Sequence, residues 1–313
     1  MKRFFILLLL MVIVVISGCV STGGAGGPGI VIVDFSVDYS PIIAGETVGL
    51  NLEVQNRGEY TATVDRVEYF GVSGWGLPTD TSKSWNLAAA DPVTGFEGGT
   101  QAETITITAP SSIVSKTNFD LGVRVEYPYQ TYFTATMRVV EQNYLRTLTK
   151  SERERMIESG GIRQSSSTSA PLSVSTASGS HFIAGRGDVT VPFRITNVGP
   201  GFPYTGTDAE TAARSGTLYQ VTVVDLDNTD QLNCDGVGTI TLSRGKNGGF
   251  GCTLSIPGTV NNFADYTFSV GLRYRYYVDG SASITVNPPY GVTPTPVTTT
   301  TSTTTTTTTI TAS

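Results

Sequence analysis

The chain has 313 residues, only 15% of them charged, and a formal net charge of −6. That balance excludes a nucleic-acid binder, which needs a basic face to neutralise phosphates. Gly, Thr, Ser, Val and Tyr are abundant and helical Leu-Glu-Lys-Ala stretches are scarce, which favours strands and turns.

The N-terminus reads Met1-Lys2-Arg3, then an apolar run from Phe4 to Ile16, then Ser17-Gly18-Cys19. Positive charge, a short apolar core and small residues ahead of a cut site make residues 1–18 a secretory signal. The apolar run is 13 residues long, short of the ~20 that span a bilayer as a helix. Ile16-Ser17-Gly18-Cys19 resembles the lipobox of bacterial and archaeal lipoproteins. That resemblance implies lipidation of Cys19 as the first mature residue, with residues 19–29 as a flexible lead. Two acyl chains, at roughly 0.8 kcal/mol per buried methylene, anchor stably.

From residue 30 onward, apolar residues alternate with polar ones in short blocks. Val48, Leu50, Leu52 and Val54 form one; Phe119 to Tyr127 and Phe133 to Val139 form two more, read as separate strands around a tyrosine-rich turn. A period of two marks strands with one buried face. The same grammar returns at Val189 to Ile195, Phe268 to Tyr276 and Ala282 to Val286, with turn signals such as Asn56-Arg57-Gly58 and Gly199-Pro200-Gly201 between blocks.

The blocks also repeat as a set. Ile43-Ala44-Gly45, a strand and Asn56-x-Gly58 are echoed by Ile183-Ala184-Gly185, a strand and Asn197-x-Gly199. Later, Phe119-x-x-Gly122-x-Arg124-x-x-Tyr127 is echoed by Phe268-x-x-Gly271-x-Arg273-x-x-Tyr276. This is a duplicated domain, with the second copy's extra length expected between Asp227 and Cys252. About seven strands in some 110 residues is the scale of an Ig-like sandwich. The pattern resembles the CARDB-like and related Ig-like repeats of archaeal and bacterial surface proteins. The expected fold is therefore all-β: two tandem Ig-like sandwiches at 30–141 and 171–287. Residues 142–170 form a short, partly helical linker, in which Thr149-Lys150-Ser151-Glu152 is a capping box ahead of a Ser-rich stretch. Residues 288–313 are a Pro/Thr-rich tail with nothing to bury, whose Thr298, Thr303 and Thr309 stand as O-glycosylation candidates.

With Cys19 lipidated, Cys234 and Cys252 remain as an even pair. An oxidising compartment favours joining them; two buried free thiols are the alternative. Asp225, Asp227 and Asp230 offer hard oxygens at close spacing, a weak Ca²⁺ candidate that lacks the Gly and distal Glu of an EF-hand. Trp75 and Trp85 flank a polar loop and are candidate ligand contacts, as amphipathic rings suit sugars. A single His181, no nucleophile elbow and no phosphate loop leave no residue to bear catalysis, and no cofactor is expected. The sequence thus points to a non-enzymatic, lipid-anchored protein on the outer face of the cytoplasmic membrane, with no nucleic acid among its partners. Its partners would be the membrane, other envelope proteins or itself. Its role would be structural, adhesive or in envelope assembly. The alternatives are a carbohydrate-binding lipoprotein that takes glycans, or an accessory subunit of a secretion- or pilus-type complex.

Overall fold

The computed structural model describes residues 29–289 apart from 72–73, 78–80, 159–160, 177–181, 185–186, 226–231 and 257. Cys19, His181, Asp227, Asp230, Thr298, Thr303 and Thr309 lie outside the described residues.

The first copy contributes β1 (Ile30–Val37), β2 (Ile42–Ile43), β3 (Thr47–Asn56), β4 (Ala62–Phe70), β5 (Ser82–Leu87), β6 (Thr100–Thr108) and β7 (Thr117–Val140). Helices α1 (Gln142–Thr147) and α2 (Lys150–Glu158) and strand β8 (Ile162–Ser167) follow. Then come β9 (Leu172–Thr176), β10 (Phe182–Ile183), β11 (Val189–Asn197), β12 (Phe202–Tyr204), helix α3 (Ala209–Ser215), β13 (Gln220–Asp225), β14 (Leu232–Asn233), β15 (Thr239–Thr241), β16 (Asn247–Leu254) and β17 (Phe263–Asn287).

Strands β1, β3 and β6 form one sheet, and β9, β11, β16 and β14 form another. A ten-stranded sheet runs under both, ordered β15-β13-β17-β7-β4-β5 along its main path. Seven strands of one copy correspond to seven of the other. Strand β3 lies between β1 and β6 as β11 lies between β9 and β16, while β4 joins β5 to β7 as β13 joins β15 to β17.

The expectation of separate strands at Phe119–Tyr127 and Phe133–Val139 is corrected: they are one continuous strand of 24 residues. Its partner β17 runs 25 residues, and the two pair antiparallel from Thr117↔Val286 to Val140↔Phe263. At ~3.3 Å per residue this ribbon is about 80 Å long. No Gly or Asn at Tyr127–Tyr132 forces a hairpin, whereas odd-numbered residues from Leu121 to Val139 are all buried along one face. Pro128 sits between the stretch paired with β4 (Arg66↔Glu126) and that paired with β8 (Phe133↔Ser167), an edge-like position a strand proline tolerates.

Each long strand therefore serves both sandwiches. Short strand β2 closes on the end of β17 in parallel, and β10 closes on the end of β7 in the same way. Even the hydrogen bonds match, Ala44 N to Asn287 O and Ala184 N to Val140 O, both at 2.9 Å. The Ile-Ala-Gly echo thus does one job twice, each time against the other copy's strand. Residues repeated at Tyr127 and Tyr276 are direct cross-strand partners, as a local two-fold between the copies demands. One buried core runs through the molecule, from Val48 and Leu52 to Phe193 and Leu254.

Two further expectations shift. The Ser-rich end of the linker is strand β8, which extends the large sheet beside β7; pairing with an open edge outweighs its polar composition. The extra length of the second copy is not confined to Asp227–Cys252. The first copy passes from Gly58 into β4 at Ala62, but the second inserts β12 and α3 between Gly199 and β13 at Gln220. The capping box forms as expected: Thr149 Oγ1 donates to Glu152 Oε2 at 2.6 Å, and Glu152 N reaches Thr149 Oγ1 at 3.4 Å.

Candidate functional site

The molecule's most elaborated region is its waist, where the copies meet. On the core side, four tyrosines of β7 and β17 pack together. Tyr127 lies 5.8 Å from both Tyr129 and Tyr276, and Tyr274 lies 6.2 Å from Tyr129 and Tyr276. Burial raises the pKa of all four phenols, and each hydroxyl is satisfied. Tyr127 meets the backbone of Ile30, Tyr129 accepts from Tyr60 N, Tyr274 pairs with Thr131, and Tyr276 donates to Asn197 Oδ1 at 2.8 Å. Of the rings expected at a tyrosine-rich turn, Tyr127 and Tyr129 are thus interior and Tyr132 is half-buried.

The two Asn-x-Gly turns flank this cluster. Asn56 gives its amide hydrogens to Tyr60 O and Leu87 O and accepts from Gly58 N. Asn197 does the same with Gly201 O, Gly245 O and Gly199 N. A Cβ at Gly58 would fall on the Tyr129 hydroxyl, so the glycine of the first motif is sterically required.

On the opposite face, the inserted β12–α3 segment docks on the first copy. Asp208 caps α3 by accepting from Thr211 N at 2.8 Å, which lowers its pKa. Ala209 and Ala212 then pack against Tyr204 and Tyr277. Beneath them lies Glu126, fully buried on β7. Its Oε2 accepts from Tyr204 Oη at 2.5 Å and from Ala209 N at 3.1 Å. Its Oε1 faces Arg66 Nε at 3.6 Å, too far for a hydrogen bond. Burial raises the Glu126 pKa, opposed by the Tyr204 and Ala209 hydrogen bonds and by the nearby arginines. Arg275 extends the network, donating to Tyr204 Oη at 2.9 Å and clamping Asp65 at 2.7 and 2.8 Å.

Beside this network Arg124 grips Asp279 through two 2.8 Å bonds and lies 4.4 Å from the Tyr277 ring. Phe70 covers Gly122, where no side chain would fit. The result is a cleft of about 350 Å³ bordered by Phe70, Asp120, Asp279 and Ser281. Sequence reasoning missed it; the repeated Gly-x-Arg was the available signal, but which ring would cover the glycine was not.

The sequence candidates are scattered. Trp75 is 7% exposed and packs edge-on to Phe119 at 5.6 Å, so its faces are not available as a platform. Trp85 is partly buried, with Lys83 Nζ 5.5 Å from its ring. Cys234 and Cys252 form the disulfide expected of them, buried in the core. Asp225 ends β13; among the described residues no three His, Cys, Asp or Glu could hold a metal. No described helix is long and apolar enough to cross a membrane.

No protein family matches the chain, and no curated protein matches it. Among solved structures, the D0-D1 domain of intimin is similar at 11% identity, covering 82% of this chain and 98% of that one with a TM-score of 0.19. The collagen adhesin CNA from S. aureus is similar at 10% identity, covering 86% and 96%, with a TM-score of 0.13. Likeness at these scores carries no argument about this chain, whose function is read from its own geometry.

Proposed function

We propose that this is a lipid-anchored protein of the cell surface, without catalytic activity, whose two fused sandwiches act as one stiff interaction body in an adhesive or structural role. The observation that carries the reading is the β7·β17 ladder, which gives a duplicated protein one continuous core instead of a hinge. A body of this kind transmits position and force between an anchor and a partner. The Cys234–Cys252 disulfide suits an oxidising compartment outside the cytoplasm, in keeping with the signal and lipobox at residues 1–19.

Crosslinking of intact cells, followed by membrane extraction and mass spectrometry, tests the role. Crosslinks to many surface proteins or to itself are expected of an adhesive coat; one fixed partner would replace that role with membership of an assembly. Fractionation of Cys19→Ser tests the anchor. A full-length variant still bound to membranes would end the lipid reading.

A specific observation favours carbohydrate binding as a second reading. The Phe70 cleft combines a ring that is 40% exposed with carboxylates and a hydroxyl, the mixture that stacks on and hydrogen-bonds a sugar. Glycan-array binding abolished by Phe70→Ala, and untouched by Trp75→Phe, would support it.

A further inference from the structure

We infer that the waist of the molecule carries a membrane-facing patch, built from the tip of the 91–96 loop and the two Asn-x-Gly turns, which lays the body flat against the bilayer that holds its anchor. The inference rests on the lipid anchor proposed above.

The described chain starts at the waist, not at an end. Gly29 O accepts from Arg57 N at 2.7 Å, and Tyr127 Oη holds the next residue, Ile30, over the tyrosine cluster. From Cys19 to Gly29 is ten steps of chain, a reach of at most about 35 Å. Whatever surrounds Gly29 is therefore held close to the bilayer at high effective concentration, and weak affinity suffices to dock it.

What surrounds Gly29 is apolar and exposed. Val198, the middle residue of the second Asn-x-Gly turn, is 47% exposed, and Val33 on β1 is 46% exposed. Arg57 borders two shallow clefts, one with Val33 and Pro200, the other with Phe96. The 91–96 loop is fastened beside it by Ala90 N to Gly58 O at 2.8 Å. Asp91 and Phe96 bond to each other's backbone on both sides, and Asp91 Oδ1 accepts from Val93 N at 2.9 Å. This bonding fixes a rigid tip that displays Val93 at 92% exposure and Phe96 at 50%. Apolar side chains held out by a braced loop are costly in water and suited to a lipid interface.

Charge narrows the kind of contact. The acidic groups nearby are Glu59, Asp91, Glu97 and Asp279. Glu59 is engaged with Ser169 N, Asp91 within its own turn, and Asp279 by Arg124. Arg57 is the cation at the centre of the patch, and Lys246, whose backbone carbonyl accepts from Asn197 N, borders its second turn. Charges of both signs thus rim the patch, so the exposed apolar side chains are the driving term and docking is little affected by salt.

The test uses lipidated protein extracted from membranes and reconstituted in phosphatidylcholine vesicles with acyl chains brominated near the headgroup. Phe96→Trp places a reporter on the patch. Val114→Trp places one on a still more exposed loop at the far end of the first sandwich, the length of β3 away. A docked residue sits ~5–10 Å into the interface, so Phe96→Trp should blue-shift and lose emission on bromination, at both low and high salt. Val114→Trp should not. Near-ultraviolet circular dichroism matching wild type establishes that both variants are folded. Flotation of the protein with vesicles reads the anchor separately, so failure to float overturns the lipid reading itself. Floating protein with neither reporter quenched overturns the patch, and self-crosslinks through the 91–96 loop would then assign it to a second copy. Equal quenching of both reporters overturns the orientation.

Discussion

The two copies share seven strands and one turn motif, yet they are finished differently. The first is a plain sandwich whose outer face lies open at Phe70 and Asp120. The second carries an inserted β12–α3 segment that reaches across the waist to bury Glu126 of the first, and a disulfide the first has no counterpart for. The common parts build the fold and the asymmetric parts build the junction. The two equivalent long strands pair, so each sandwich depends on the other, and the insert seals one side of the seam.

The sharpest way to break this comparison is through the matched asparagines. The Asn197 side chain makes four hydrogen bonds, all to buried groups, and Asn56 makes three, one of them to the half-buried Tyr60. Removing several such bonds at once costs about 3–5 kcal/mol. We expect Asn197→Ala to be the more destabilising of the two. Because the core is continuous, both variants should lower a single unfolding transition, measured by denaturant titration with far- and near-ultraviolet signals. If each variant moved only one of two resolved transitions, the copies would be independent domains and the shared ladder would not couple them.

How much of this was legible beforehand follows from the physics of each feature. The strand blocks, the repeat and the Asn-x-Gly turns rest on local rules, a period of two and a glycine that cannot be replaced, and they could be read directly. So could the capping box at Thr149. The fusion could not. Phe119–Tyr127 and Phe133–Val139 have the same in-phase alternation whether they fold back as a hairpin or run on as one strand. The choice depends on β17, some 150 residues away in sequence. The waist was hidden for the same reason: Glu126 reads as a solvated strand residue until Tyr204 and Ala209 are brought over it. Trp75 misled because its polar neighbourhood in sequence says nothing of Phe119 packing on its edge.

The disulfide gives the next largest contrast. Cys234 and Cys252 close a loop of 18 residues' separation, which stabilises by about 3 kcal/mol through the unfolded chain. Reduction, or Cys234→Ala with Cys252→Ala, should lower the same global transition by that amount while leaving the folded circular dichroism spectrum unchanged. A loss felt only as faster hydrogen exchange in β14 and β16, with the midpoint unmoved, would confine the bridge to a local role.

Glu126 makes a smaller, pH-dependent prediction. Burial raises its folded pKa above the ordinary carboxylate value, so the folded state holds its proton more tightly than the unfolded one. The favourable contribution is then fully present below the unfolded pKa and is lost as pH rises through the raised folded value. Above that window the buried carboxylate costs about 1.4 kcal/mol for each unit its pKa is raised. Glu126→Gln keeps the acceptor for Tyr204 and Ala209 without the charge, and should flatten stability against pH from just above 4 upward. An unchanged slope in the variant would mean that Arg66 and Arg275 compensate the charge fully.

The smallest expected effect lies outside both sandwiches. Thr149 and Glu152 cap α2 reciprocally, and the hydroxyl and amide of Thr149 hold the Glu152 pKa below its usual value. Thr149→Ala removes one arm of the box and weakens the helix by ~1 kcal/mol. Since α2 lies between the copies and contributes nothing to the continuous core among its described residues, the global midpoint should not move. The expected signature is faster amide exchange confined to Lys150–Glu158, with the β7·β17 ladder fully protected. A fall in global stability instead would mean that α2 braces the seam, and that the junction between the copies extends beyond the insert and the tyrosines.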